Sequence, residues 1–175
     1  MTIISHKEYE VFLKNMEKSP KTLGSQDRVA TLILGVSTSW KDSLTEPYME
    51  GVDGAPAWLE FEHKIWELGE KLRHVLKANR WKGKCPVLDA AVKILSCKDY
   101  RKGRQTFALL IGEFGQGNYG IHLAECLTDE EVSGHCLKAM TKAKISGFGE
   151  HVRRILDSSE GWQRKAAEKY LTLYQ

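Results

Sequence analysis

A unit of about 30 residues recurs through the second half of this sequence, and it constrains the fold more than any other feature. In the related segments RQTFALLIGEFG, GHCLKAMTKAKI and WQRKAAEKYLTL, Ala139 lies 31 residues after Ala108, and Ala167 lies 28 residues after Ala139. The stretch before each segment ends in an aspartate. These junction aspartates are Asp99, Asp129 and Asp157. A period of this length is typical of folds built from stacked repeats.

The apolar residues of each unit predict a pair of short helices, because they recur three and four residues apart. One helix pair cannot bury its apolar face alone, so neighbouring pairs stack and cover each other. Small residues such as Ala108 and Ala139 let the helices approach closely. We therefore predict an all-α fold, an α-solenoid of stacked antiparallel helix pairs over residues 85–175.

The junction aspartates have two expected roles. A carboxylate at this position can accept a hydrogen bond from the first backbone N–H groups of the next helix. It can also pair with a basic residue of an adjacent repeat. The basic residues that follow the junctions are Arg101, Arg104, Arg164 and Lys165.

The segment DSSEGWQRKAAEKYL, residues 157–171, carries a resemblance to a known family. A polar junction with an aspartate, followed by a helix that begins W-x-R-x-A-A, resembles the HEAT-like repeats, in particular the short repeats of phycobilisome lyase-like proteins. DYRKGRQTFALLIGEFG resembles the same pattern more loosely. The copy between them departs from it, with Gly134 and His135 near the position where the family prefers an arginine. The resemblance implies a stack of helix pairs with an extended binding surface.

Residues 1–84 form the N-terminal helical portion of what we predict to be a single domain, 1–175. Helices are expected over residues 5–18 and 56–77, where apolar residues line one side. Residues 27–36 are apolar on several sides, so their pattern does not distinguish a buried helix from a strand. We favour the helix. Residues 37–54 are predicted to form a long connection. This portion is expected to cap the open end of the stack.

The stretch IGEFGQGNYG contains Gly115, Gly117 and Gly120 at the spacing G-x-G-x-x-G. This spacing binds dinucleotides only where a strand precedes it and a helix follows. Here the preceding segment has helical period and no alternation of strands and helices is present. Gly147 and Gly149 occupy the matching position in the next repeat. We therefore interpret the stretch as a turn between two helices.

Nothing in the sequence points to a catalytic centre, and we predict no catalytic, cofactor-binding or metal-binding residues. The motifs of serine hydrolases, zinc proteases and nucleotide-binding P-loops are absent. His122, Cys126 and Cys136 have only a loose metal-ligand spacing, and buried free thiols are the preferred interpretation of the cysteines. Glu60 and His63 form a single E-x-x-H unit, which we interpret as part of a solvated Glu–His face. With neither a signal peptide nor a membrane span in evidence, we expect a cytoplasmic protein.

Nucleic-acid binding is the alternative function, of the kind seen in HEAT-like DNA glycosylases. The segment LKANRWKGK combines four basic side chains with Trp81, and an indole can stack on a base while the basic groups contact phosphates. The net charge of the whole chain is only +3, and lysines at a helix end also complement the helix dipole.

Protein binding is the preferred function. In a helical-repeat stack the second helix of each pair presents an extended surface, so we expect an unidentified protein partner to bind there. The sequence contains aromatic and arginine residues, the types that most often anchor interfaces. A toxin-neutralising immunity protein and an adaptor or scaffold are the roles considered. The residues predicted to contact the partner are Trp81, Lys93, Tyr119, His122, Glu125, His151, Arg153 and Arg154.

Overall fold

Helices make up the regular secondary structure of the computed structural model, which describes residues 6–43, 57–156 and 160–174. No strand occurs in these ranges, so the predicted all-α class is confirmed. The α-helices are α1 His6–Lys18, α2 Gln26–Asp42, α3 Ala57–Asn79, α4 Pro86–Ser96, α5 Gln105–Phe114, α6 Gly120–Glu125, α7 Ser133–Lys142, α8 Gly149–Leu156 and α9 Gly161–Tyr174. Short 3-10 turns span Pro20–Thr22, Lys98–Arg104 and Cys126–Thr128.

The ambiguous segment 27–36 is helical and belongs to α2. Ser25 caps this helix, since its hydroxyl oxygen accepts a hydrogen bond from the backbone N–H of Arg28 at 3.3 Å. Apolar residues occur on several sides because α2 contacts α1, α3 and α4. The prediction that the long connection starts at residue 37 is wrong, since α2 continues to Asp42. The rest of that predicted connection lies outside the described residues.

The helices that follow the junctions pack against one another in chain order. Helix α3 contacts α5, α5 contacts α7, and α7 contacts α9. The contacting positions rise together in residue number, from Glu62 beside Gly103 to Arg73 beside Glu113, so α3 and α5 run parallel. Gly112 of α5 lies directly against the backbone of Ala139 of α7, which brings these two helices unusually close.

A second set of contacts joins the helices that precede the junctions. Helix α2 packs against α4. The start of α6 reaches the start of α4, where the Tyr119 hydroxyl contacts Asp89. Gly120, at the start of α6, lies against Phe148, the residue before α8. The described part of the chain therefore has one row of helices, α3, α5, α7 and α9, and other contacts that link α2, α4, α6 and α8.

The glycine-rich stretch is a turn between helices, as predicted. Helix α5 ends at Phe114 and α6 begins at Gly120. Gly117 has a φ of +80° and Gly147, in the corresponding turn before α8, has a φ of +90°. Only glycine adopts this region without a steric penalty, which explains why both turns contain it. Among the described helices, none combines the length and the apolar character needed to cross a bilayer.

Candidate functional site

A buried arginine joins the repeats at the start of α5. The side chain of Arg104 is only 1% exposed, yet its guanidinium donates four hydrogen bonds. The acceptors are the Asp129 carboxylate at 2.9 Å, the Glu131 carboxylate at 3.0 Å, and the backbone carbonyl oxygens of Leu95 at 3.1 Å and Arg101 at 2.7 Å. Asp129 is the second junction aspartate, so the predicted pairing of a basic residue with a junction aspartate is confirmed for Arg104.

The other junction residues behave differently. Asp99 pairs with Lys41 of α2 at 3.4 Å, and Arg164 pairs with Glu168 of its own helix at 3.1 Å. Asp99 therefore pairs with Lys41 and not, as predicted, with one of the basic residues that follow the junctions. Asp157 lies outside the described residues. The predicted capping is not found at Asp129. Its carboxylate accepts a hydrogen bond from the backbone N–H of Glu131 at 3.1 Å, within the turn, whereas α7 begins at Ser133 without a side-chain cap.

Arg101 links α3 to the turn before α7. Its Nε atom lies 3.8 Å from a carboxylate oxygen of Glu62 and 3.6 Å from one of Glu131. Arg101 has a φ of +46°, a backbone conformation that is uncommon for a residue other than glycine. Burial raises the pKa of the Glu62 carboxyl, and the Arg101 charge opposes that rise only in part. The turn Lys98–Arg104 thus holds Arg101 between two carboxylates.

A second ionic bridge crosses the other end of the same helices. Glu113 of α5 lies 3.5 Å from Arg73 of α3 and 3.7 Å from Lys142 of α7. Arg73 also binds Glu70 of its own helix, and Glu70 accepts a hydrogen bond from the Thr106 hydroxyl at 2.6 Å. Since one carboxylate reaches cations of both neighbouring helices, these three helices present a common surface.

We call this surface the second-helix face. Helical spacing adds further members to it: Trp66 is two turns before Arg73, Leu109 is one turn before Glu113, and His135 is two turns before Lys142. Trp162 of α9 continues the surface, with its ring edge-on to His135 at 5.3 Å between centroids. The face consists of Trp66, Arg73, Gln105, Leu109, Glu113, His135, Lys138, Lys142 and Trp162.

The two tryptophans of this face are strongly exposed for their residue type. Trp66 is 42% and Trp162 is 52% exposed. Trp66 stacks on His63, with ring planes 9° apart, and Trp162 covers Gly134. Tryptophan is among the residue types most enriched in interface hot spots, which makes this face a candidate interaction surface. Neither residue was predicted to bind a partner, although Trp162 belongs to the segment that resembles the HEAT-like motif.

The residues that the sequence predicted for binding are mostly exposed but lie elsewhere. Lys93 is on α4, His122 and Glu125 are on α6, and His151, Arg153 and Arg154 are on α8. The expectation that they belong to the second helices is wrong, because these helices precede the junctions. His122 lies 3.3 Å from Glu125, and Arg153 pairs with Glu150. Each of those pairs is local to one helix.

Tyr119 is buried, so its predicted exposure is wrong. The side chain is 4% exposed, and its hydroxyl accepts a hydrogen bond from the Cys85 backbone N–H at 3.1 Å and donates to Asp89 at 2.8 Å. Burial and the bond to Asp89 raise the pKa of the Tyr119 phenol well above its ordinary value. The residue therefore fastens the start of α6 to the start of α4.

The Tyr119→Phe variant is expected to lower the free energy of unfolding by about 1–2 kcal/mol, because it leaves a buried N–H and a carboxylate oxygen without a partner. Urea denaturation followed by circular dichroism measures the change. Tyr174→Phe is the matched control, since that hydroxyl also bonds a backbone carbonyl but is less buried. An equal loss in both variants would contradict the structural role assigned to Tyr119.

Trp81 and the basic stretch around it form the end of α3. The Trp81 backbone N–H donates to the Leu76 carbonyl oxygen at 3.0 Å, and the half-buried indole packs against the core. Lys77, Arg80, Lys82 and Lys84 are exposed. An indole engaged in packing has less surface on which a base could stack. The structure therefore favours the interpretation of this stretch as a helix end over a nucleic-acid site.

The groups considered for metal binding or catalysis have local partners. Cys126 and Cys136 are buried and free, and a hydrogen bond from the Cys136 thiol lowers the pKa of Cys126. His63 pairs with Glu67 at 3.4 Å on the surface, as predicted for the Glu–His face, whereas Glu70 turns to Arg73 and Thr106. Within the described ranges, no three His, Cys, Asp or Glu side chains are arranged to hold a metal ion.

Comparison of the chain with protein-family models, with curated proteins and with solved structures finds no match. Two cavities occur in the described part of the molecule besides the second-helix face. A cavity of about 450 Å³ lies between α1 and α2, but the side chains buried in it, Phe12, Leu23 and Leu32, are all apolar. A cavity of about 400 Å³ lies between α3 and the turn Lys98–Arg104, and the Glu62 carboxylate lines it.

Proposed function

We propose that the chain is a non-catalytic protein-binding module, in which HEAT-like helix pairs stack as an α-solenoid and the second-helix face contacts a partner protein. The parallel packing of α3, α5, α7 and α9 in chain order supports the solenoid. The observation that carries the binding function is the exposure of Trp66 and Trp162 on one surface that ionic bridges hold together.

The second-helix face has the composition of a protein interface. Two aromatic side chains provide apolar contact area, while Arg73, Lys138 and Lys142 supply a charged rim. Such a surface would suit a toxin-neutralising immunity protein, an adaptor or a scaffold. Four unpaired cysteines are in keeping with a reducing compartment, so we place this activity in the cytoplasm.

Replacing Trp162 with alanine is expected to weaken partner binding by roughly 30-fold or more, the effect of losing an aromatic hot spot. Ile121→Ala is the matched control, because Ile121 is similarly exposed, at 49%, but lies on α6. The partner is isolated by affinity capture from the native host, purified, and titrated against each variant by calorimetry. The residues predicted on α8 are tested in the same way with Arg153→Glu and Arg154→Glu.

Three results would contradict this function. The first is binding that Trp66→Ala and Trp162→Ala leave unchanged. The second is binding that only the α8 variants abolish, which would favour the surface predicted from the sequence. The third is salt-dependent binding of labelled DNA or RNA that is lost on replacing Lys82 and Lys84 by glutamate, which would establish the nucleic-acid alternative.

A further inference from the structure

We propose that the cavity between α3 and the turn Lys98–Arg104 binds a guanidinium group, as an arginine side chain of a partner protein would present it. The partner in this statement rests on the proposed function, whereas the chemistry of the cavity rests on its own residues. The cavity has a volume of about 400 Å³ and is lined by Glu62, His63, Trp66, Lys102, Gly103 and Gln105.

A buried carboxylate with spare acceptor capacity lies in the wall of this cavity. The Glu62 side chain is 7% exposed, and Arg101, the nearest cation, is 3.8 Å away, too far for a hydrogen bond. The backbone N–H of Lys102 lowers the pKa of this carboxyl group, against the larger effect of burial. A carboxylate has about four acceptor positions, so Glu62 retains positions for a donor that enters from the cavity.

The charges around the cavity favour a cationic ligand. Three carboxylates, Glu62, Asp129 and Glu131, share the two guanidinium groups of Arg101 and Arg104. With Glu62 ionised, this cluster carries one negative charge in excess. Lys102 also lines the cavity and its charge acts on Glu62, so its ammonium competes with a cationic ligand.

Trp66 and Gln105 select a guanidinium over other cations. A guanidinium is planar and weakly hydrated, so it stacks on an indole while its N–H groups point in the plane toward acceptors. Trp66 offers the exposed indole, and Glu62 offers the carboxylate. The Gln105 amide donates through its nitrogen to the Glu131 carbonyl oxygen at 2.8 Å, so its own carbonyl oxygen serves as a second acceptor. An ammonium group would gain the charge interaction without the stacking.

The test is an NMR titration of the full-length, uniformly ¹⁵N-labelled chain with methylguanidinium chloride. We expect the indole N–H resonance of Trp66, assigned by comparison with Trp66→Phe, to shift saturably, while the Trp162 indole serves as a reference. Methylurea, a neutral molecule of similar shape, and sodium chloride at equal ionic strength are expected to leave the Trp66 resonance in place. Equal shifts with all three additives would overturn the proposal.

Two variants with opposite expected effects on methylguanidinium binding test the role of the charges. Glu62→Gln is expected to weaken methylguanidinium binding about 10-fold or more, the usual effect of losing a charge-assisted hydrogen bond. Lys102→Met removes a competing cation and is expected to strengthen it. The matched controls are Glu60→Gln and Lys64→Met, which remove an exposed ion pair of the same helix. Binding that survives Glu62→Gln, or that Lys102→Met weakens, is incompatible with the proposed site.

Folding of the Glu62→Gln variant is not expected to confuse the result, because glutamine has the same shape and retains a side-chain oxygen that accepts hydrogen bonds. The ¹H–¹⁵N spectrum of the variant verifies that it is folded. If phosphate shifts the Trp66 indole resonance and methylguanidinium does not, Lys102 makes the cavity an anion site, and the proposal fails. If methylguanidinium does not bind but a partner protein binds in a manner that depends on Trp162, only the guanidinium site is rejected. If methylguanidinium binds saturably but no partner protein is found, only the proposed function is rejected.

Discussion

Replacing Arg104 with methionine is expected to lower the free energy of unfolding by about 3–5 kcal/mol, the cost of removing one partner of a buried ion pair. The change deletes four hydrogen bonds at once. It also leaves the largely buried Asp129 carboxylate without its cation. Methionine fills a similar volume, so the loss measures the lost charge interactions more than a cavity. Thermal unfolding followed by circular dichroism is expected to show a midpoint lowered by roughly 10 °C.

Arg164→Met provides the comparison. Arg164 pairs with Glu168 on the surface of α9, with both side chains 52% exposed, and such pairs contribute less than about 1 kcal/mol. We expect this variant to unfold close to the parent chain. If Arg104→Met proves as stable as Arg164→Met, the Arg104 hydrogen bonds do not hold the repeats together, and the junction would depend on apolar packing alone.

Gly112→Ala is the second change with a large expected effect, a loss of about 1–3 kcal/mol, with Gly112→Val worse. An added Cβ would meet the Ala139 Cβ at 2.7 Å and the Ala139 backbone carbonyl oxygen at 2.8 Å. Alanine would gain up to about 1 kcal/mol of helix propensity at this position. Because backbone atoms of α7 cannot move aside without separating the two helices, the steric cost exceeds this gain. Urea denaturation measures the difference.

Gly149→Ala is the control, because it introduces the same methyl group where there is room. At this position, the first residue of α8, the nearest atoms to an added Cβ are side-chain ends at 3.9 Å, an ordinary contact distance. This variant is expected to be neutral or slightly stabilised. A Gly112→Ala chain that is as stable as Gly149→Ala would mean that α5 and α7 do not approach as closely as described.

Most of the helices were predictable because helical periodicity is a local property of the chain. The apolar residues of CPVLDAAVKILSCKD and of DYRKGRQTFALLIGEFG recur at helical spacing, and α4 and α5 lie within these stretches, with Leu88 and Phe107 buried. The start of α5 does not follow from this spacing. The turn Lys98–Arg104 precedes it, with the unusual backbone conformation of Arg101, because this turn is shaped by Glu62 and Glu131, which are distant in sequence.

The candidate binding surface was not predictable in the same way. Tyr119 is the type of residue that anchors interfaces, and the sequence carried no sign that its hydroxyl would be used by Cys85 and Asp89. Trp66 and Trp162 lie far apart in the chain. Helical spacing alone did not show which side of α3 or of α9 would remain uncovered by a neighbouring helix. Exposure depends on which helices are neighbours, which is a property of the packing.

The sequence by itself determined the all-α class and the turn at the glycine-rich stretch, because spacing, small residues and turn residues act over a few positions. It also indicated that a basic residue would pair with a junction aspartate, as Arg104 and Asp129 do. Only the tertiary structure decided that Arg104 is buried, that Glu62 lines a cavity, and that two tryptophans share one face. The physical reason is that burial, charge balance and exposed surface arise from contacts between helices, and those contacts join residues that are distant along the chain.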